Sequence, residues 1–210
     1  MKIIADPFES AMFFLFFPSD EIIKFKQKTF AFVWIFSFYY DIIKPKKERI
    51  TAMFREIVRK KQALTADECK QILKNELRGV LSVIGDGGYP YGVPINYFYN
   101  EEDGRVYFHS GRSGHKIDSI ANCDKVSFCV CDGGYREEGE WALNFKSVIV
   151  FGRLRAIDDF DKAMDICRKL SYKFTDDGEY IEKEIAAFGK NTLCLELIPE
   201  HITGKRINES

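Results

Sequence analysis

The sequence predicts a small antiparallel β-barrel with helices packed at its ends. From Thr65 onward, six short segments rich in β-branched and aromatic residues are separated by Gly-, Asn- and Asp-containing turns. The first three segments are joined by short, turn-containing connections, which is typical of antiparallel hairpins. The helical segments do not alternate one for one with the strands. This arrangement indicates a mostly β fold with peripheral helices.

The helices and strands are predicted as follows. The first helix begins after Thr65 and ends near Leu77, because Thr65 and Glu68 form a capping-box pattern. The second follows Ser113 and ends near Asn122. Two more helices are predicted at 159–174 and 179–188, and six strands at 79–84, 91–99, 105–109, 126–131, 142–156 and 192–198, the fifth strand being bent at Gly152.

Composition excludes several classes of function. The 210 residues allow one domain, or one domain with an appendage. A net charge of −1 without a long basic stripe argues against nucleic acid as a partner. The six cysteines include no CxxC pair, and with three histidines they show no zinc-ligand spacing, so no metal site is predicted. Buried thiols in a reducing cytoplasm are the expected state of these cysteines.

Residues 1–52 differ from the rest of the chain. They contain 10 of the 19 Phe but none of the glycines, cysteines or histidines. The apolar run 30–43 has only 14 residues and includes Asp41, whereas a membrane span needs about 20 apolar residues. A membrane location is therefore not expected. We interpret 1–52 as a mis-annotated or disordered leader, with Met53 as the natural start and 53–210 as the folded domain; a genuine hydrophobic anchor is the alternative.

The second helix begins with an unusual charge pattern. Helix N-termini carry a partial positive charge and prefer acidic residues, yet Arg112, His115 and Lys116 cluster at this one, beside Gly114. A bound anion would explain the cluster, because backbone N–H groups and cationic side chains would converge on it. The sequence therefore predicts a site for a phosphate-bearing ligand. The alternative is a solvated helix end with no ligand.

Five short motifs occur in a fixed order along the chain. They are Gly79–Val83, Tyr89–Tyr97, Phe108–Ser110 with Gly114–Lys116, Phe145–Gly152 and Ile202–Lys205. On these motifs the chain resembles the pyridoxamine 5′-phosphate oxidase-like split barrels that bind FMN, specifically their nitroimidazole-resistance (nitroimidazole reductase) branch. The resemblance extends from Met53 to about Ile207 and implies a six-stranded antiparallel split β-barrel.

The resemblance also implies a cofactor, a partner and a site. It implies a homodimer with FMN at the subunit interface. The implied cofactor-binding residues are Val93, Pro94, Ile95 and Asn96 beside the isoalloxazine, His109 and Ser110 near the ribityl chain or ring, Gly114, His115 and Lys116 at the phosphate, and Lys146 and Ser147 from the partner subunit. Two alternatives stay open: Lys146 as a strand-edge lysine that blocks aggregation, and His109 as a strand histidine satisfied by a carbonyl.

The implied function is FMN-dependent electron transfer to a small flat acceptor such as a nitroaromatic. Four aromatic residues, Tyr97, Tyr99, Tyr107 and Phe108, are candidates for the acceptor pocket, with barrel-core packing as the alternative for at least half of them. The chain ends without the substrate-gripping basic residues of true pyridoxamine phosphate oxidases, so vitamin B6 oxidation is not expected. No catalytic residue is assigned, because a bound flavin would carry the redox chemistry. A non-catalytic flavin- or haem-binding module, acting as a store or sensor, is the alternative.

Overall fold

A seven-stranded antiparallel sheet forms the framework of the protein. The computed structural model describes residues 53–208, so the predicted leader at 1–52 and the start-site hypothesis lie outside the described residues. Four α-helices surround the sheet, and the mostly β fold class is confirmed. Among the helices of this described part, none is both long and apolar enough to cross a bilayer.

The sheet curls into a split barrel because its two edge strands are consecutive in the chain. The strands are β1 (Arg78–Ile84), β2 (Pro90–Asn96), β3 (Phe98–Asn100), β4 (Arg105–Ser110), β5 (Lys125–Cys131), β6 (Asn144–Ala156) and β7 (Leu193–Asn208). Their order in the sheet is β2-β1-β5-β6-β7-β4-β3, and only Tyr97 separates β2 from β3. The two edges must therefore meet at Tyr97.

Tyr97 also divides the strand that the sequence predicts at 91–99. The two halves pair with different neighbours, β2 with β1 and β3 with β4, which gives seven strands instead of the predicted six. The Tyr97 ring is fully buried and meets the edge of Phe128 at 4.8 Å between centroids. The ammonium group of Lys173 lies 4.3 Å from the Tyr97 centroid. Apolar packing and a cation–π contact thus stabilise the closure.

The helices are α1 (Ala66–Asn75), α2 (His115–Asn122), α3 (Phe160–Ser171) and α4 (Gly178–Phe188), with short 3₁₀ turns at Lys60–Gln62, Asp86–Gly88 and Gly189–Asn191. The predicted capping box of α1 is confirmed: the Glu68 N–H donates to Thr65 Oγ1, and the Thr65 N–H donates to Glu68 Oε2. Helix α1 closes the barrel by burying three residues in its core, and α3 packs on β7 through a second, smaller apolar cluster. The α1 residues are Cys69, Ile72 and Leu73.

Strand β7 extends ten residues past its predicted end at Ile198. The sequence suggests an end there because Pro199 has no N–H to donate to a ladder. In the structure Pro199 lies opposite Gly152 at a β-bulge, where the register with β6 shifts. Gly152 is required at this point, because a Cβ there would lie 2.1 Å from the Ile198 carbonyl oxygen. The bulge therefore accommodates the proline, and it occurs where the sequence predicts a bend.

A buried carboxylate ties α3 to three strands. Glu196 in β7 is buried, and its carboxylate accepts hydrogen bonds from Arg105, Arg155 and Lys162 at 2.8, 2.8 and 3.0 Å. Burial alone would raise the pKa of Glu196, but the three cationic donors outweigh it, so the pKa is lowered. Glu196 therefore remains ionised in the folded protein at neutral pH.

We expect Glu196→Gln to lower the free energy of unfolding by about 2–4 kcal/mol at pH 7, because three cations would lose their shared counter-charge. Since the pKa of Glu196 is lowered by folding, this stabilisation is present above its unfolded pKa and is lost as the pH falls through the folded value. Urea denaturation of both proteins from neutral to acidic pH measures the difference. Glu182→Gln, which removes a solvent-accessible ion pair with Arg168, is the control and should change stability much less. Equal effects of the two substitutions would contradict this account.

Candidate functional site

Helix α2 differs from the other helices at its N-terminus. A side chain caps α1, α3 and α4, namely Thr65, Asp159 and Asp177. No side chain caps α2 in the described structure; it begins after Gly114, whose φ of 114° is accessible mainly to glycine. The first backbone hydrogen bonds of α2 are those from Ile117 and Asp118 to the Gly114 carbonyl. The N-terminal N–H groups are thus left available for an external acceptor.

Lys116 is a half-buried cation at this uncapped terminus. Burial lowers the pKa of its ammonium group. Within residues 53–208, no carboxylate lies within ion-pair distance of Lys116, whereas most other half-buried cations of the barrel are paired. A partly desolvated charge without a counter-ion is costly to the folded state. An anionic ligand would remove that cost.

His109 and Ser110 end β4, immediately before the loop that leads to α2. The His109 side chain is accessible to solvent, yet the surrounding protein atoms lower its pKa by desolvation, and the charge on Lys116 lowers it further. These two properties together are typical of a residue on a concave surface. No hydrogen bond from His109 to a protein carbonyl is present in the part of the chain that the structure describes. The alternative of a carbonyl-satisfied strand histidine is therefore unsupported.

His115 makes contacts within the protein that the sequence does not predict. Its imidazole stacks on Tyr91 in β2, with 4.3 Å between centroids and 13° between planes. Its Nε2 accepts a hydrogen bond of 3.4 Å from the Asp86 N–H in the β1–β2 turn. The ring therefore holds the β1–β2 hairpin against α2. Its backbone N–H is the part of His115 that lies in the open first turn.

Arg112 points away from this turn. Its guanidinium donates to the carbonyl oxygens of Lys190 and Thr192, at 3.4 and 3.3 Å, and so holds the segment before β7. Of the three cationic side chains that the sequence places at the helix start, Lys116 alone keeps its charge free of protein partners. The positive cluster is therefore smaller than its sequence spacing indicates.

The predicted β2 residues alternate between the two faces of the sheet. Val93 lies opposite the buried Leu81, and Ile95 packs against the barrel core. Pro94 and Asn96 lie on the outer face, where the Asn96 Oδ1 accepts a 2.9 Å hydrogen bond from Arg78. These four residues form one continuous stretch of edge strand, with two side chains on each face of the sheet.

Lys146 and Ser147 also lie on opposite faces of their strand. The Lys146 ammonium is 3.6 Å from Glu68 Oε1, and the same oxygen accepts a 2.8 Å hydrogen bond from Arg206. Ser147 lies on the outer face opposite Lys205. Since β6 is flanked by β5 and β7, the interpretation of Lys146 as a strand-edge lysine is wrong. The sequence pattern around Glu68 indicates only its capping box with Thr65, and it does not predict that Glu68 pairs with Lys146 and Arg206.

Within one subunit, the two halves of the predicted site are far apart. Ser147 lies opposite Lys205 in β7, whereas His109 lies opposite Cys194, eleven residues or about 35 Å away along the same strand. The structure thus brings His109, Ser110 and the residues of the α2 terminus together, with Tyr91 as an additional neighbour. It does not bring Lys146 and Ser147 to them.

The aromatic residues proposed for an acceptor pocket belong to the interior. Tyr97, Tyr99, Tyr107 and Phe108 are all at least 95% buried. The Tyr107 hydroxyl donates to the carboxylate of Asp103, and the other three belong to the main core. The core-packing alternative therefore holds for all four, and the prediction that they line an open pocket is wrong.

A comparison with protein-family models identifies the family. The pyridoxamine 5′-phosphate oxidase model matches residues 65–206, which include the four described α-helices and all seven strands except the last two residues of β7. The chain belongs to the pyridoxamine 5′-phosphate oxidase family. The match includes the uncapped α2 terminus, Lys116 and the β6–β7 ladder. No curated protein matches the sequence significantly.

Solved structures share the fold. A candidate 5-nitroimidazole antibiotic resistance protein from Bacteroides thetaiotaomicron aligns with a TM-score of 0.59 at 18% identity, covering 70% of this chain and 87% of that one. A conserved hypothetical protein from Mycobacterium tuberculosis gives 0.61 at 12% identity, covering 72% and 90%. An FAD- and haem-binding protein from Mycobacterium smegmatis gives 0.55 at 20% identity, covering 71% and 74%. At these identities the likeness concerns the fold.

Proposed function

We propose that this protein is a homodimeric, FMN-dependent oxidoreductase of the cytoplasm that passes electrons to a small flat acceptor, a nitroimidazole or another nitroaromatic. The observation that carries the proposal is Lys116, a half-buried cation without a counter-ion at an uncapped helix terminus, in a chain of the pyridoxamine 5′-phosphate oxidase family. The fold shared with the Bacteroides protein supports the choice of acceptor.

The residues present fit a phosphate monoester. Lys116 would pair with the phosphate, and the N–H groups that follow Gly114 would donate to its oxygens. His109 and Ser110, at the end of β4, would contact the part of the cofactor that lies beyond the phosphate. When bound, FMN would accept electrons from a donor and deliver them to the acceptor. The protein would bind and orient the cofactor, and no side chain is assigned as an acid or base.

The outer face of the sheet supports a dimer. One row of residues crosses five neighbouring strands on this face without a charge: Pro94, Val80, Cys129, Ile149 and Thr203. Val80, in the second strand of the order, is 40% exposed. A partner subunit on this face would bury the row and could bring its own Ser147 to the α2 side of the first subunit. Because Lys146 is paired with Glu68 of its own subunit, we propose that it contributes less than Ser147 to the contact with the other subunit.

The alternative is a flavin- or haem-binding module without turnover. The FAD- and haem-binding protein from Mycobacterium smegmatis shares the fold, and this likeness keeps haem in consideration. A visible spectrum of the purified protein separates these cases, because flavin and haem absorb differently. Flavin bands are the expected result, and a Soret band would favour the haem alternative.

We expect Lys116→Glu to weaken FMN binding about 100-fold or more, because it removes a charge-assisted contact and adds repulsion. Isothermal titration of apoprotein with FMN measures the change. Lys183→Glu is the matched control, since it makes the same charge change on the exposed surface of α4. Circular dichroism should show that both variants are folded. Unchanged FMN affinity in Lys116→Glu would overturn the phosphate assignment.

We expect Val80→Asp to convert the dimer to a monomer, because a carboxylate would be buried in the centre of the interface. Light scattering coupled to size exclusion measures the mass. The control is Phe188→Asp, which places the same charge at an exposed apolar position on α4. A monomeric unsubstituted protein, or a Val80→Asp variant that remains dimeric, would contradict the proposed interface.

The FMN-loaded protein should reduce a 5-nitroimidazole when supplied with reduced nicotinamide or dithionite. The loss of nitro absorbance under anaerobic conditions measures the reaction, and Lys116→Glu should show only the background rate. If the bound flavin is reduced by the donor but the nitroimidazole does not reoxidise it, the non-catalytic module is the better description.

A further inference from the structure

Two cysteine side chains meet in the apolar cluster between α3 and β7. The Sγ atoms of Cys167 and Cys194 are 3.3 Å apart. Cys167 is 8% exposed and Cys194 is 1% exposed. Their neighbours are aliphatic or sulfur-containing, principally Ala163 and Met164 of the same helix. The pair is not part of the proposed cofactor site.

The separation of the two Sγ atoms is within reach of a disulfide. A sulfur–sulfur bond is about 2.05 Å long, so the two atoms need to approach by little more than 1 Å. Helix α3 and strand β7 are separate elements, and a small shift of the helix supplies this movement without breaking the sheet. The Cys194 Sγ also lies 3.3 Å from the Ala163 carbonyl oxygen, which fixes its position against α3.

We propose that Cys167 and Cys194 form a reversible disulfide that crosslinks α3 to β7 when the protein meets a hydroperoxide. The Cys167 thiolate attacks the terminal peroxide oxygen, the O–O bond breaks, and the leaving alkoxide or hydroxide takes a proton. The Cys194 thiol then attacks the resulting sulfenic acid, forming the S–S bond and releasing water. Two thiols lose two electrons and two protons, and the peroxide is reduced to an alcohol or water.

The surroundings favour Cys167 as the first thiol to react. A hydrogen bond from Cys194 and the charge of Arg168 outweigh burial and lower the pKa of Cys167, whereas the same pairing and burial raise the pKa of Cys194. Cys167 is also the more exposed of the two. The thiolate is the nucleophile in this chemistry, so the order of attack follows from these contacts.

The crosslink would act close to the candidate site. Cys194 lies directly opposite His109 in the β4–β7 ladder. The bond would close a loop between positions 27 apart in the chain, a loop that contains α4. By restricting the unfolded chain, a loop of this size should raise the melting temperature of the protein by about 5–10 °C.

The test is oxidation of the full chain by hydrogen peroxide, followed by alkylation and tryptic digestion under non-reducing conditions. We expect the peptides 163–168 and 191–205 to be recovered as one disulfide-linked species, together with the rise in melting temperature. Dithiothreitol should reverse both changes. The proposal is overturned if Cys167 and Cys194 are still alkylated as free thiols after oxidation, or if the link joins other cysteines.

Matched variants separate this crosslink from other oxidation. Cys167→Ser should abolish the linked species and the temperature shift, whereas Cys123→Ser, at the C-terminal end of α2, should retain both. If Cys167→Ser is unstable, the melting temperature of the unsubstituted protein with and without dithiothreitol gives the same comparison. A peroxide-induced shift that persists in folded Cys167→Ser would overturn the assignment.

Discussion

The single-residue connection at Tyr97 is the constraint on which the rest of the structure depends. Strands β2 and β3 are the two edges of a seven-stranded sheet, and a covalent link of one residue holds them together. An open, gently twisted sheet of this width would place its edges more than 20 Å apart, so the sheet has to curl. The buried Tyr97 ring packs inside the resulting barrel, and α1 closes its interior.

Charged side chains are paired in the framework of the sheet, whereas the candidate site contains an unpaired cation. At Glu196 three cations surround one buried carboxylate, and at Glu68 two cations share one carboxylate oxygen. Both clusters connect a helix to the β6–β7 ladder. Lys116 is the contrasting case, because it is half-buried and lacks an acidic partner among residues 53–208. Because most other half-buried cations of the barrel are paired, the free charge of Lys116 at an uncapped helix terminus is a site for an external anion in the proposed function.

Much of the fold could be predicted from local patterns. The capping box at Thr65, the bend at Gly152 and the alternation of β-branched residues are short-range signals, and the structure contains each of them. The break at Tyr97 and the extension past Pro199 could not be predicted in this way. Both depend on partners distant in sequence: β4 and β1 pair with the two halves of one predicted strand, and a bulge opposite Gly152 accommodates the proline.

The sequence by itself determined the fold class, the family and the position of the uncapped helix, because propensities, turns and motif order are encoded in neighbouring residues. Only the tertiary structure decided which charges of the Arg112–Lys116 cluster are free, since the partners of Arg112 and His115 come from segments far along the chain. It also decided that Lys146 faces α1 while Ser147 faces outward, and that Cys167 meets Cys194. Contacts between distant segments fix the direction and distance of side chains, and no local pattern specifies them.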